Sequence, residues 1–88
     1  MRAFRFRVRG RVQGVGYRYF VLREAESRNL TGFARNQADG SVEVVAEGTE
    51  EDLRDLEVLL RKGPAFAGVE SVEVEAMAPR GDLGFQIR

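Results

Sequence analysis

The sequence contains no cysteine and no histidine. The first absence removes disulfide staples, thiol nucleophiles and thiolate metal sites; the second removes the commonest metal ligand and the commonest general base. Any chemistry performed by this chain must rest on arginine, asparagine, glutamine, carboxylates, hydroxyls and backbone. No paired catalytic carboxylates stand out, and no Asp-x-Asp run offers an aspartyl-phosphate nucleophile or a Mg²⁺ site. Neither a metal nor a cofactor is therefore expected. No apolar run approaches the roughly 20 residues needed to span a bilayer, and no basic-then-apolar leader is present. The expectation is a cytoplasmic protein without a membrane partner, which a cysteine-free composition suits. Net charge is lacking too: 14 basic and 14 acidic residues cancel, so no global field favours nucleic acid.

What remains is a chain of 88 residues, 43% hydrophobic and 32% charged. That composition is ordinary for a globular protein, and the length gives room for a single domain, residues 1–88, with one core. The charges are unevenly spread. Arg2, Arg5, Arg7, Arg9, Arg11 and Arg18 crowd the first third, whereas Glu47, Glu50, Glu51, Asp52, Glu70, Glu73 and Glu75 load the rest.

Phe4, Phe6 and Val8 alternate with Arg5, Arg7 and Arg9, the period-two pattern of a strand over 3–9. A glycine-punctuated loop, Gly10–Gly16, follows. Tyr17, Phe20, Val21 and Ala25 then share one helical face over 17–28, with Asn29 as a left-handed stop. Residues 30–37 read as a second strand, Ala38-Asp39-Gly40 as a hairpin turn, and 42–48 as the returning strand. Thr49 through Asp52 has the form of a capping box. It opens a helix striped by Leu53, Leu56, Leu59 and Leu60 and stopped by Gly63-Pro64. Val69, Val72, Val74 and Ala76 predict the buried face of a fourth strand, and 84–88 a short edge strand. The order strand, helix, strand, strand, helix, strand is the split βαβ pattern. It predicts an α+β ferredoxin-like sandwich: an antiparallel sheet of four to five strands with two helices on one face. Arg5, Arg7 and Arg9 would face Glu73 and Glu75 on the open side. The exposed positions of the first strand carry arginine rather than stacking aromatics, which disfavours an RNA-binding sheet.

The stretch Gly10-Arg11-Val12-Gln13-Gly14-Val15-Gly16-Tyr17-Arg18 is neither a Walker A loop nor a dinucleotide fingerprint. Its place between a strand and a helix nevertheless lets backbone N–H groups converge on an anion, helped by the positive end of the helix dipole. Arg18 has a bland alternative as a solvated helix arginine. A cation at a helix N-terminus opposes the dipole, however, so an anion would complete the cluster. Its planar fork can grip a phosphate in a bidentate way. Asn36 is equally well read as a strand-end or turn asparagine.

Gly10–Arg18, GRVQGVGYR, closely resembles the first acylphosphatase signature. Gly32-Phe33-Ala34-Arg35-Asn36 with Gly40, Val42 and Gly48 resembles the second, and Phe85-Gln86-Ile87-Arg88 looks like the family's closing strand. Tyr17 stands where phenylalanine is common, and the chain ends at Arg88 where an aromatic residue often follows. The resemblance implies a monomeric, metal-independent enzyme that hydrolyses small acyl phosphates to a carboxylate and inorganic phosphate. It makes Arg18 the phosphate-binding arginine and Asn36 the residue that orients the attacking water. Backbone N–H groups of Gly14, Val15, Gly16, Tyr17 and Arg18 would surround the phosphoryl oxygens. Arg35 should point away from Asn36 by strand alternation. The competing expectation is a non-catalytic ferredoxin-like module that binds an anion or an acyl or carbamoyl phosphate.

Overall fold

A computed structural model describes residues 1–88. Its elements are β1 (Arg2–Arg11), α1 (Tyr17–Ser27), β2 (Thr31–Asn36), β3 (Val42–Gly48), α2 (Glu50–Lys62), β4 (Gly68–Met77) and β5 (Phe85–Ile87). The strands form one sheet in the order β4-β1-β3-β2-β5. Neighbours among the first four are antiparallel, as the sequence pattern requires, while β5 joins β2 in parallel and makes the sheet mixed. The fold is the α+β ferredoxin-like sandwich.

The helices form where the apolar periodicity puts them. Tyr17, Val21 and Ala25 are the buried positions of α1, and Leu53, Leu56 and Leu60 those of α2. They pack on Phe6, Val8, Ala34, Val42, Val44 and Ala46, the inward row of the central strands. Asn29 takes a left-handed φ of 56°. The N–H of Leu30 donates to the Ala25 carbonyl and that of Asn29 to Glu26, the paired bonds of a Schellman stop. At the start of α2 the Thr49 hydroxyl oxygen accepts from the Asp52 N–H at 3.2 Å. The hydroxyl itself donates to the Asp52 carboxylate at 2.9 Å, so the acid closes on the side chain of Thr49.

β1 is longer than the expected 3–9. Its pairing with β4 continues beyond a register shift at Arg9/Gly10, with Gly10 opposite Val69 and Arg11 opposite Gly68. Gly10 is thus a strand residue, and its glycine has a steric cause: at φ 125° an added Cβ would lie 2.2 Å from the Gly68 carbonyl oxygen. The loop proper shrinks to residues 12–16. The same shift puts Val69, half-buried, against the core beside Val72.

Burial departs from simple strand alternation in two places. Alternation predicts a buried face carrying Val74 and Ala76, but Val74 is 41% exposed and Ala76 is open as well. β4 is the outermost strand, and of its residues only Val72 is fully within the core. Conversely, Glu43 and Glu47 are not solvated but buried. Long side chains and the segment after β4 roof the outer face of β3. Glu43 Oε1 accepts from Arg35 at 2.6 Å and Gln37 at 3.1 Å, and its Oε2 lies 2.8 Å from Arg5 Nε. Glu47 accepts from the N–H groups of Arg80 and Gly81. The expected ladder does form, Arg5 meeting Glu75 and Arg9 meeting Glu73 at 3.0 and 3.3 Å.

Truncating a fully buried α2 leucine, Leu56→Ala, is expected to lower unfolding free energy by about 2–5 kcal/mol. Val74→Ala should cost less than about 1 kcal/mol. Urea unfolding of both variants checks the pair; similar losses would contradict the assignment of Val74 to the margin of the core.

Candidate active site

Register brings the two halves of the site together. Val8 pairs with Val42, and Val42 pairs on its other side with Asn36, so the three form one lateral row across β1, β3 and β2. The loop therefore leaves β1 just past the level of Asn36, about two strand spacings away, or roughly 10 Å. Strand alternation puts Asn36 on the helix side, in step with buried Ala34. Arg35 points to the opposite face, where Glu43 holds it.

Gln13 fastens the loop to the hairpin. Its amide nitrogen donates to the carbonyls of Gln37 at 2.8 Å and Ser41 at 2.9 Å, one on either side of the turn. The turn is itself held by Asp39, whose carboxylate accepts from the Ser41 N–H and hydroxyl. These two hydrogen bonds, helped by the nearby Arg9 and Arg7 charges, keep the Asp39 carboxyl below its ordinary range. That contribution to stability is present above the ordinary carboxylate pKa and is lost as pH falls through the lowered value.

Gly14 and Gly16 both adopt left-handed backbone, φ 74° and 78°, and Gly16 caps α1 without any side-chain hydrogen bond. Nothing crowds a Cβ at either position, so conformation alone calls for glycine there. From Gly14 through Tyr19 no N–H finds an acceptor in the protein. The first turn of α1 has no acidic residue to offset its dipole. A cavity of about 150 Å³ lies here, walled by Gly14, Gly16, Tyr17, Arg18 and Asn36. Val12, Tyr19 and Ile87 complete its rim. A larger depression, about 330 Å³ on the outer sheet face, is walled by Arg5, Arg7, Glu43, Glu73 and Glu75. Its acids are already engaged by neighbouring arginines, which makes it a charge ladder rather than a ligand cradle.

Arg18 pairs with no aspartate or glutamate, and one guanidinium nitrogen donates to the main-chain oxygen of Arg88 at 2.8 Å. Its remaining donors are free for an anion. The Oδ1 atom of Asn36 is buried without a hydrogen-bond partner, a cost of about 1–3 kcal/mol in a protein interior. Tyr17, beside them, is core: its hydroxyl donates to the Leu60 carbonyl at 2.8 Å, and burial pushes its pKa far up. Val15 does not line the cavity, its side chain packing on the core instead.

Arg18, Asn36 and the loop residues Gly14, Gly16 and Tyr17 thus border one space. Three contributors were not assigned from sequence: the bridge made by Gln13, the Ile87 wall and the Arg88 main-chain oxygen. Each depends on chain segments far apart in sequence, and no local pattern marks it.

Comparison with known proteins points one way. The family model described as Acylphosphatase matches residues 4–87. The acylphosphatase of Moorella thermoacetica is 49% identical over 83 residues, covering 94% of this chain and 89% of that protein. That of Thermus thermophilus is 49% identical over 80 residues, 91% of each. Among solved structures, an acylphosphatase from Bacillus subtilis matches with TM-score 0.97 at 40% identity, covering 100% of this chain and 99% of that one. Full-length HypF in a phosphate- and nucleotide-bound form matches with TM-score 0.93 at 26% identity; the match takes in 99% of this chain but 12% of HypF.

The Gln13 bridge yields a first test of the site. Gln13→Leu removes the second donor from two carbonyls that each also accept a backbone N–H, and is expected to destabilise the fold by about 0.5–1.5 kcal/mol per lost bond. Amide exchange over 37–41 should accelerate more than exchange in α2. Equal acceleration in both segments would show that Gln13 does not act locally on the hairpin.

Proposed function

The chain belongs to the acylphosphatase family, and from that membership we propose how its cavity carries out the family's reaction. The protein hydrolyses the carboxyl–phosphate bond of acyl phosphates, giving a carboxylate and inorganic phosphate. In our reading Arg18 and the N–H groups of Gly14, Val15, Gly16, Tyr17 and Arg18 hold the phosphoryl oxygens. Asn36 holds a water for in-line attack on phosphorus. The single observation that carries this reading is the shared cavity, with Arg18 and the loop on one side and Asn36, whose Oδ1 has no partner, on the other.

The chemistry asks little of proton transfer. The water oxygen forms a bond to phosphorus as the bond from phosphorus to the acyl oxygen breaks, and the electron pair leaves with the carboxylate. A carboxylate needs no general acid to depart. Phosphoryl transfer is dominated by positioning and charge neutralisation, which fixed N–H dipoles and a guanidinium provide. The water's proton passes to a phosphoryl oxygen, so the lack of histidine is no obstacle. Asn36 borders the cavity and offers its amide to that water.

The cavity wall carries no carboxylate that would hold a cation, and we read the reaction as metal-independent. We further read residues 1–88 as one domain that works as a monomer in the cytoplasm. One sheet edge is the three-residue β5, and the other, β4, carries Glu70, Glu73 and Glu75, features that oppose edge-to-edge pairing. No helix is long and apolar enough to cross a membrane.

Benzoyl phosphate hydrolysis tests the assignment. Turnover is expected to survive chelator, to be inhibited by inorganic phosphate, and to fall by at least about 10²-fold in Arg18→Ala and Asn36→Ala. Arg35→Ala, on the opposite sheet face, should retain most activity; a loss equal to that of Asn36→Ala would refute the placement of the water. The rate should vary little between pH 6 and 8, because no group expected to titrate in that window takes part. A steep bell-shaped profile there would contradict proton transfer to the phosphoryl group.

A further inference from the structure

Beyond the phosphate cradle, a second groove of about 230 Å³ runs over the outer surface of α1. Gly16 and Tyr19 line both spaces, so the two adjoin across that pair of residues. Asn36 of β2 and Ile87 of β5 border the cradle alone. Pro64, in the connection after α2, borders the groove alone. In-line displacement sets the attacking and leaving oxygens on opposite sides of phosphorus. With the water on the Asn36 side, the departing acyl group projects toward the groove.

The lining of the groove says what acyl group it takes. Tyr19 is 60% exposed and contributes nothing to the core, although it lies between two buried or half-buried aromatics, Tyr17 and Phe20. Phe20 and Pro64 give the groove an apolar floor. Arg23 stands one helical turn beyond Tyr19 on the same face, exposed and without an ion-pair partner. Glu24, the one acid in the lining, is held by Arg28 at 2.9 Å, so its charge is already offset. The groove therefore presents an aromatic wall, an apolar floor and an unpaired guanidinium at a distance from the reacting phosphorus.

Resting on the reading of the site given above, we propose that this groove is an acyl-side subsite for acyl phosphates that carry a second anionic group. Arg23 pairs with the distal carboxylate, and Tyr19 packs against the intervening carbons. The substrate class is thus the monoacyl phosphates of dicarboxylic acids, favoured over those of simple monocarboxylic acids.

The test compares kcat/KM for 4-carboxybenzoyl phosphate and benzoyl phosphate, which differ by the distal carboxylate alone. The quantity read is the ratio of the two, in wild type, Arg23→Ala, Arg23→Lys and Arg23→Glu. Arg23→Ala is expected to lower the ratio about threefold to fivefold through KM, the size of a solvent-exposed ion pair. Arg23→Lys should restore most of it, and Arg23→Glu should push it lower than Arg23→Ala. In wild type the ratio should shrink as salt rises. A structural role for Arg23 would scale both substrates together, and an unchanged ratio in Arg23→Ala overturns the subsite. Benzoyl phosphate turnover by wild type reports on the parent reading alone: its absence removes both proposals, whereas its presence with an unmoved ratio removes only this one.

Discussion

The antiparallel register of β1, β3 and β2 is the constraint from which the rest of this site follows. Because Val8, Val42 and Asn36 share one row, the loop leaving β1 arrives beside the hairpin that ends β2. A slip of one residue in the β2–β3 pairing would turn Asn36 to the outer face and leave the loop facing Arg35 or Gln37. The amide of Gln13 then fixes the remaining freedom by spanning the two carbonyls on either side of the turn. Position in this site comes from backbone pairing first and from a side chain second.

The register is guarded from both faces. On the helix side, the inward residues of β3 meet leucines of α2 and the buried face of α1. On the outer side, buried Glu43 is held by Arg5 and Arg35, and Glu47 by the backbone N–H groups of Arg80 and Gly81. Arg35, Arg80 and Arg88 also surround the Phe33 ring at 5.6, 5.3 and 4.2 Å. Such contacts contribute only about 0.5–1 kcal/mol each when exposed. Their larger consequence is geometric, since a buried carboxylate without its partners costs far more than the pair gains. Shifting β3 would strand Glu43 and Glu47 at once.

The same economy governs the cradle. It contains a guanidinium held by one hydrogen bond with donors to spare, an amide whose Oδ1 has no partner, and a run of N–H groups without acceptors. None of these needs to change protonation state, which suits a substrate whose leaving group departs unaided. Arg88 adds a long-range tie: its N–H donates to the Ala34 carbonyl while its main-chain oxygen accepts from Arg18. β5 thereby couples the Arg18 guanidinium to the strand that carries Asn36, and its Ile87 borders the cavity that both line.

Local pattern in the sequence determined much of this: the order of elements, the helix stops at Asn29 and Gly63, the Thr49 cap, the Asp39-Gly40 turn and the two signature stretches that hold Arg18 and Asn36. These are short-range features, set by backbone preference and by apolar period over a few residues. Only the tertiary structure decided that Gly10 belongs to a strand, because its glycine answers to a carbonyl of β4. It also decided that Val74 is marginal while Glu43 and Glu47 are buried, because burial depends on what lies above a strand and not on the strand's own alternation. Gln13, Ile87 and Arg88 acquire roles through partners that are distant in sequence, and the parallel seating of β5 depends on β2. A single chain read in order carries no direct record of such pairings.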